Sequence, residues 1–329
     1  MRTGRILIAV TAMLALSASC VAGRDADRVS PATAPAPDVS QPAVPPSSPA
    51  ASPTTSLGPD GPSPRPARPF VPPPNASLPA TAAGLADALA RATHALRDST
   101  AAWVASGDST TRRPPRALVL QALYEQRIYR GLMRNPGLTR EVVARLPSDV
   151  RTRARLTTRA MATLISGVRP LPSAAGFRTG PFPPPGTLLA GFHEAQRRFG
   201  VPWEVLAAVM YVESKFGRAR SDSAAGAQGP MQFLPSTWAA YGMGGHVDDP
   251  HDAILGAANF LHANGAPGDA RDALFAYNHS ERYVEGVLLL AERLRREPAS
   301  FVALYAWQVF VVTVHGDVRL TGPGRHSGP

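Results

Sequence analysis

Beyond about residue 80 the chain predicts a mainly α protein, and three observations carry that prediction. Apolar residues recur every three or four positions from Gly84 to Trp103 and again from Arg116 to Met133, the repeat of helices with one buried face. From Gly186 to Glu297 the start and stop signals of short helices follow one another closely. Strand signals are absent until Val309 to Val314, where Gly316-Asp317 suits the turn of a small hairpin.

The first element is an export signal over residues 1–22. Arg2 and Arg5 precede an apolar run from Ile6 to Ala18 and then small residues around Cys20. The run is too short to span a bilayer as a mature helix, and no later segment offers an uninterrupted apolar stretch of that length. The mature chain is therefore expected outside the cytoplasm, secreted or anchored on the outer face of the cell membrane. Cys20 is the only cysteine, which excludes an intramolecular disulfide framework. It reads either as the acylated cysteine of a lipoprotein, which would tether the chain to the membrane, or as an incidental small residue of a cleaved signal. Ser17 stands where the lipoprotein pattern prefers an aliphatic side chain.

Residues 23–80 come next, a Pro/Ala/Ser/Thr-rich stretch with about half of the 35 prolines and almost no large apolar residue. Such a segment buries too little apolar surface to offset its ordering entropy, so a disordered linker is expected. The formal charge of +10 is almost wholly arginine, since Lys215 is the only lysine. A basic exported chain is drawn to polyanions such as anionic lipid or an acidic cell wall. Nucleic acid is not expected as a partner, because export removes it and no aromatic-plus-basic motif is present.

A helical accessory region is expected over residues 81–175. Its stripes are Leu85, Leu89, Ala92 and Leu96, then Leu118, Leu123, Ile128 and Leu132, with a third helix over Val150 to Ile165. Arg127, Arg130, Arg151, Arg153, Arg155 and Arg159 stud these helices, and a solvated face is the simpler reading than a dedicated binding stripe. Pro170 to Pro185 marks a boundary, after which residues 176–300 read as a second helical domain and 301–329 as an extension. Within it Pro202 opens one helix and Gly217 follows its end. Asp249-Pro250 opens another that Gly265 closes, Asp269 caps a third ending near Tyr277, and Glu281 to Arg296 forms a fourth.

Three segments of that domain carry chemistry. On a helix, Glu213 shares a face with Leu206, Val209, Met210 and Phe216. A carboxyl on an apolar stripe in a helix's last turn is disfavoured as an anion twice over, by desolvation and by the helix dipole, and both raise its pKa toward that of a proton donor at neutral pH. The competing reading is a surface glutamate at a frayed helix end, paired with Lys215 or Arg218. The second segment runs from Ser223 to Phe233, glycine-rich and polar and then apolar. Gly226 and Gly229 permit close approach of backbone to a ligand, and Gln232 offers donor and acceptor together. The third is Phe275-Ala276-Tyr277-Asn278, an aromatic followed by an amide, suited to a sugar ring and its acetamido group, though a core tyrosine before a capping asparagine is the commoner use of that pair.

Taken together, Glu213-Ser214, Ser223 through Phe233 with its Ser-x-x-Gly-Ala-x-Gly-x-x-Gln-Phe spacing, and Ala276-Tyr277-Asn278 resemble the lytic transglycosylases of the lysozyme-like superfamily. The Asp249-Pro250 to Asn264-Gly265 helix, with Ala253-Ile254 and Ala257-Ala258-Asn259, is similar to the membrane-bound B-type branch and its actinobacterial relatives. The resemblance covers roughly Phe192 to Glu297 and says nothing of the first 180 residues.

It implies a lysozyme-like helical catalytic domain acting on peptidoglycan glycan strands through one carboxyl, Glu213, with no cofactor and no metal. Ser223 and Gln232 would bind the muramoyl side of the cut, Phe233 would also bind substrate, and Tyr277 and Asn278 would hold the acetamido group. The short Gly242 to Val247 stretch is nearly free of carboxylates, so the calcium loop of some relatives is not expected, and the histidines lack zinc spacing. Two other readings remain: a hydrolysing lysozyme-like muramidase with Asp222 as its second carboxylate, and a non-catalytic peptidoglycan-binding module.

Overall fold

The computed structural model describes residues 70–220 and 226–323. The export signal, Cys20, most of the linker, Asp222 and Ser223 lie outside the described residues. What is described is mainly helical and belongs to one compact unit. Its helices are α1 (Ala82–Ala105), α2 (Arg116–Leu132), α3 (Pro136–Arg145), α4 (Ser148–Ile165), α5 (Pro185–Phe199), α6 (Trp203–Ser214), α7 (Pro235–Tyr241), α8 (Pro250–Ala263), α9 (Ala270–Tyr277), α10 (Glu281–Arg296) and α11 (Ser300–Ala306). A 3-10 turn at Asp108–Thr110 and an antiparallel hairpin, β1 (Phe310–Thr313) with β2 (Gly316–Arg319), complete it, Phe310 pairing with Arg319 and Thr313 with Gly316. None of the described helices is long and apolar enough to cross a membrane.

Local chemistry sets most helix ends. Thr81, Asn135, Asp249, Asp269 and Ser280 each accept a hydrogen bond from a backbone N–H in the first turn of the helix they precede, which satisfies donors the helix leaves open. The sequence pattern missed α3, whose apolar stripe is short, although Asn135-Pro136 is a sound start signal for it.

At the centre lies α6, apolar all round and buried from Trp203 to Ser214 except for Glu204. Burying side chains such as Leu206, Val209 and Met210 stabilises the fold by roughly 1.5–3 kcal/mol each. Next to it, α10 packs on α6 and on α4 of the N-terminal half. Gly286 makes the second contact: a Cβ there would sit 2.5 Å from Leu164 Cγ.

The boundary expected at 175 therefore separates no cores. Buried Glu125 of α2 joins four segments. It accepts from Arg153 of α4 at 2.6 Å, from Thr93 of α1 at 3.1 Å and from the Trp307 indole at 3.2 Å. Arg153 reaches on to Glu297 at 2.9 Å, which Arg97 of α1 also holds at 2.8 Å. The stretch 301–329 likewise begins as core rather than extension, with Phe301 and Leu304 to Trp307 buried. At the other end, the linker's last residues are docked. Phe70 packs edge-on against Tyr124, and the carbonyls of Phe70, Pro74 and Ala76 accept from Gln121, Arg319 and Arg127. The apolar pattern could not show this, because the docking runs through backbone carbonyls.

The arginines do not form a uniform solvated face either. Arg153 is buried in the network, Arg130 pairs with Asp317, Arg151 caps the carbonyl end of α3 through Leu146, and Arg159 pairs with Glu285 at the surface. A helical wheel cannot distinguish these fates, since the carboxylates that pair with Arg130, Arg153 and Arg159 lie on other segments of the chain.

Candidate active site

Glu213 sits in the last turn of α6, which ends abruptly. Lys215, Phe216 and Gly217 follow with φ of 53°, 62° and 82°, three successive left-handed residues. Two of them carry side chains, a costly conformation that surrounding packing must hold. Phe216 is fully buried among Phe301, Tyr305 and Tyr211. Buried Arg218 donates to the carbonyls of Tyr305 and Trp307 and lies over the Phe182 ring, so it is engaged away from Glu213. Ser214 ties the helix end to the glycine-rich loop: its Oγ donates to the Pro230 carbonyl at 2.5 Å and accepts from Gly217 N–H at 2.8 Å.

That loop is a tight reversal. Gln228 and Phe233 exchange backbone hydrogen bonds at 2.8 and 2.9 Å, and Gln232 N–H closes on the Gly229 carbonyl at 3.1 Å. Gly229, with φ of 71°, cannot be replaced: a Cβ would lie 1.9 Å from the Val247 carbonyl oxygen. Gln232 is also left-handed, at φ 53°, with its amide nitrogen donating to the Gly229 carbonyl at 3.0 Å. Its Oε1 is buried without a hydrogen-bond partner among the described residues.

An aromatic wall connects loop and acid. Phe233 packs edge-on against Trp238 and Tyr277, and Tyr277 Oη donates to the Met231 carbonyl at 2.7 Å. Tyr277 lies parallel to Tyr283, ring centres 6.5 Å apart. Asn278 caps α9 through its backbone N–H, bonded to the Leu274 carbonyl at 3.0 Å. The structure thus gathers Gln232, Phe233, Tyr277 and Asn278 of the sequence-predicted residues into one region with Glu213.

Glu213 is only 6% exposed, which removes the surface-glutamate reading. Burial pushes its pKa up to about 7, and the Tyr283 phenol and the Lys215 charge offset that only in part. Tyr277 and Tyr283 are themselves raised well above the usual phenol value, by burial first and then by the Glu213 charge, so both remain proton-bearing donors. Sequence reasoning missed Tyr283. Its buried hydroxyl makes no hydrogen bond of ordinary geometry among the described residues, yet it is near enough to Glu213 to lower that carboxyl's pKa. In the sequence it falls on the same apolar stripe as Val287, Leu290 and Leu294, so it reads as core; the cue was a phenol in the first turn of a Ser280-capped helix, six residues after Tyr277.

Among the described residues Asp249, His251 and Asp252 form a carboxylate–imidazole group with ligand atoms within 4.8 Å of one another. Each is already engaged: Asp249 caps α8, Asp252 accepts from His246 N–H at 2.9 Å, and His251 pairs with Glu194 at 2.9 Å.

A helical domain whose central helix ends on one buried, proton-retaining carboxyl beside a glycine-rich loop and a tyrosine pair is of the lysozyme-like class. Residues 191–293 match the transglycosylase SLT domain, a match that implies peptidoglycan as the substrate class of this region. The match does not distinguish branches of that family and does not reach the N-terminal helices or the hairpin. No curated protein and no solved structure matches the chain.

Proposed function

We propose that this protein is a lytic transglycosylase of the cell envelope, cutting the β-1,4 bond between N-acetylmuramic acid and N-acetylglucosamine and leaving a 1,6-anhydromuramoyl end. The observation that supports this most is a single acid, Glu213, buried enough to keep a proton near pH 7 yet in no ion pair among the described residues. Glu213 gives its proton to the glycosidic oxygen as the bond to the anomeric carbon breaks. The resulting carboxylate then takes the proton of the muramoyl six-hydroxyl. That oxygen closes on the anomeric carbon, so the acid is regenerated and no water is consumed.

The Tyr283 phenol orients the Glu213 carboxyl between these two transfers, and Gln232 Oε1 accepts from a sugar hydroxyl or acetamido N–H. Tyr277 presents a fixed ring, and with Asn278 it holds the acetamido group; Ser223 completes the muramoyl side. The chain acts outside the cytoplasm after export, with Cys20 as its tether if acylated.

Product masses from purified sacculi test the reaction. Anhydro-muropeptides, each lighter by one water than the hydrolytic product, are expected. Reducing-end products would instead identify a muramidase, and Asp222→Asn would then be the next variant to make. Binding without any product would leave a wall-binding module.

A further inference from the structure

A cleft opens where α2, α4, α10 and β1 meet the end of α6, and Tyr211 and Lys215 of its lining belong to the same helix end as Glu213. Its walls are apolar: Met133 of α2, Met161 and Leu164 of α4, Leu290 of α10, and Phe310 and Val312 of β1. That lining suits the apolar body of a small organic ligand, for which a few placed polar groups set orientation.

The polar groups at its border are mostly committed. Gln126 donates to the Gln308 carbonyl at 2.9 Å and accepts from Gln308 N–H at 2.8 Å, and the Gln308 amide donates to the Ala306 carbonyl at 2.6 Å. Arg130 pairs with Asp317 at 2.7 Å. Lys215 differs. Its Nζ donates to the Tyr211 carbonyl at 2.9 Å and lies 4.2 Å from the centre of the Tyr211 ring, and it forms no salt bridge among the described residues. An ammonium carries three donors, so this cation keeps hydrogen-bonding capacity to spare. Burial brings its pKa down to about 7, against the pull of Glu213 and with a push from Arg130. An anion arriving here would restore the charge that burial removes.

We propose that this cleft is a binding site for a small amphipathic carboxylate, its apolar body against the walls from α4, α10 and β1 and its carboxylate on Lys215 Nζ. Charge complementarity selects the class. The border offers one under-bonded cation, and its neighbouring carboxylate, Asp317, is already held by Arg130 and Arg134. One unpaired cation beside a long apolar wall suits a monoanion with an apolar body better than a polyvalent one.

Because Lys215 is the only lysine, full-length protein labelled with ¹³C,¹⁵N-lysine gives one side-chain signal to titrate. Millimolar octanoate is expected to raise its midpoint by about one pH unit, as an opposite charge at contact distance does. Octanol and inorganic phosphate are expected not to raise it. In calorimetry Lys215→Met should weaken octanoate binding roughly tenfold, the loss of one charge-assisted hydrogen bond. A lysine signal unmoved by octanoate would overturn the proposal. So would an equal response to octanol or to phosphate, or unweakened binding by Lys215→Met. A response to a muramoyl-peptide fragment without one to octanoate would overturn it too, and assign the cleft to the glycan groove.

Discussion

Two buried glutamates in this molecule have opposite fates. Glu125 is fully buried and surrounded by donors: a guanidinium, a hydroxyl and an indole. Its neighbour Glu297, in the same network, has a pKa below the usual range, because burial, which opposes its charge, is outweighed by the Arg97 hydrogen bond and the charges of Arg153 and Arg97. Glu213 is more deeply buried than Glu297 and has only a phenol and a nearby amine to offset that, so its pKa rises to about 7. Burial alone does not make a carboxyl reactive. The difference is whether the fold supplies counter-charge, and the same arginine-rich chain that supplies it lavishly between α1, α2, α4 and α10 withholds it at the end of α6.

That contrast is broken most directly at Glu213. Glu213→Gln is expected to lower turnover on sacculi by about 10²–10⁴-fold or more with an unchanged circular dichroism spectrum, since the amide can neither give nor take the proton. Retention of substantial turnover by a folded variant would end the assignment.

At the other pole, Arg153→Met should act on stability. It leaves Glu125 buried without its main partner, a change that costs about 3–5 kcal/mol, readable as a lower urea midpoint. Activity per folded molecule should stay near that of the wild type. A loss under 1 kcal/mol would mean that the network is less buried than its geometry indicates.

The same comparison has a pH signature. Below the ordinary value of 4.5 Glu213 is protonated whether the chain is folded or unfolded; between 4.5 and about 7 only the folded chain keeps the proton, so stability falls as pH rises through that window. Above pH 7 the folded chain carries a buried carboxylate. The resulting loss is of order 3 kcal/mol, since each pH unit of the window is worth about 1.4 kcal/mol. Glu213→Gln lacks this loss. Melting temperatures of wild type and variant should agree near pH 4 and diverge in the variant's favour by pH 8; parallel curves would place the Glu213 pKa near that of an ordinary surface glutamate.

A smaller effect should follow from Tyr283→Phe. The phenol lowers the Glu213 pKa, so its removal should move the alkaline limb of the activity profile upward from about 7 by up to about one pH unit, alongside a drop in turnover from looser positioning. A merely structural tyrosine would lower activity without moving the limb. Smallest of all, Arg159→Ala should change stability by less than about 1 kcal/mol, because its pair with Glu285 is solvent-exposed. An equally small effect on sacculus binding would confirm that this arginine has no part in holding the wall.

The sequence by itself determined the helical class and several helix starts, because caps such as Asp249 and Asp269 act within four residues of themselves. It also singled out Glu213, since a carboxyl on an apolar stripe conflicts with its neighbours whatever the fold around it. It pointed to Gln232, Phe233, Tyr277 and Asn278 by their order along the chain, and the structure brings those four to one place. Tertiary structure alone decided the rest. Tyr283 looks like core until α10 lays it beside α6, and Ser214 looks like a helix end until its hydroxyl meets Pro230. Arg153, one arginine among many on its helix, becomes the centre of the buried network only when α2 and the end of α10 close on it. A local pattern records what one segment must bury; which charge meets which depends on contacts such as Arg153 with Glu125, 28 residues away, and with Glu297, 144 away, and no local pattern records those.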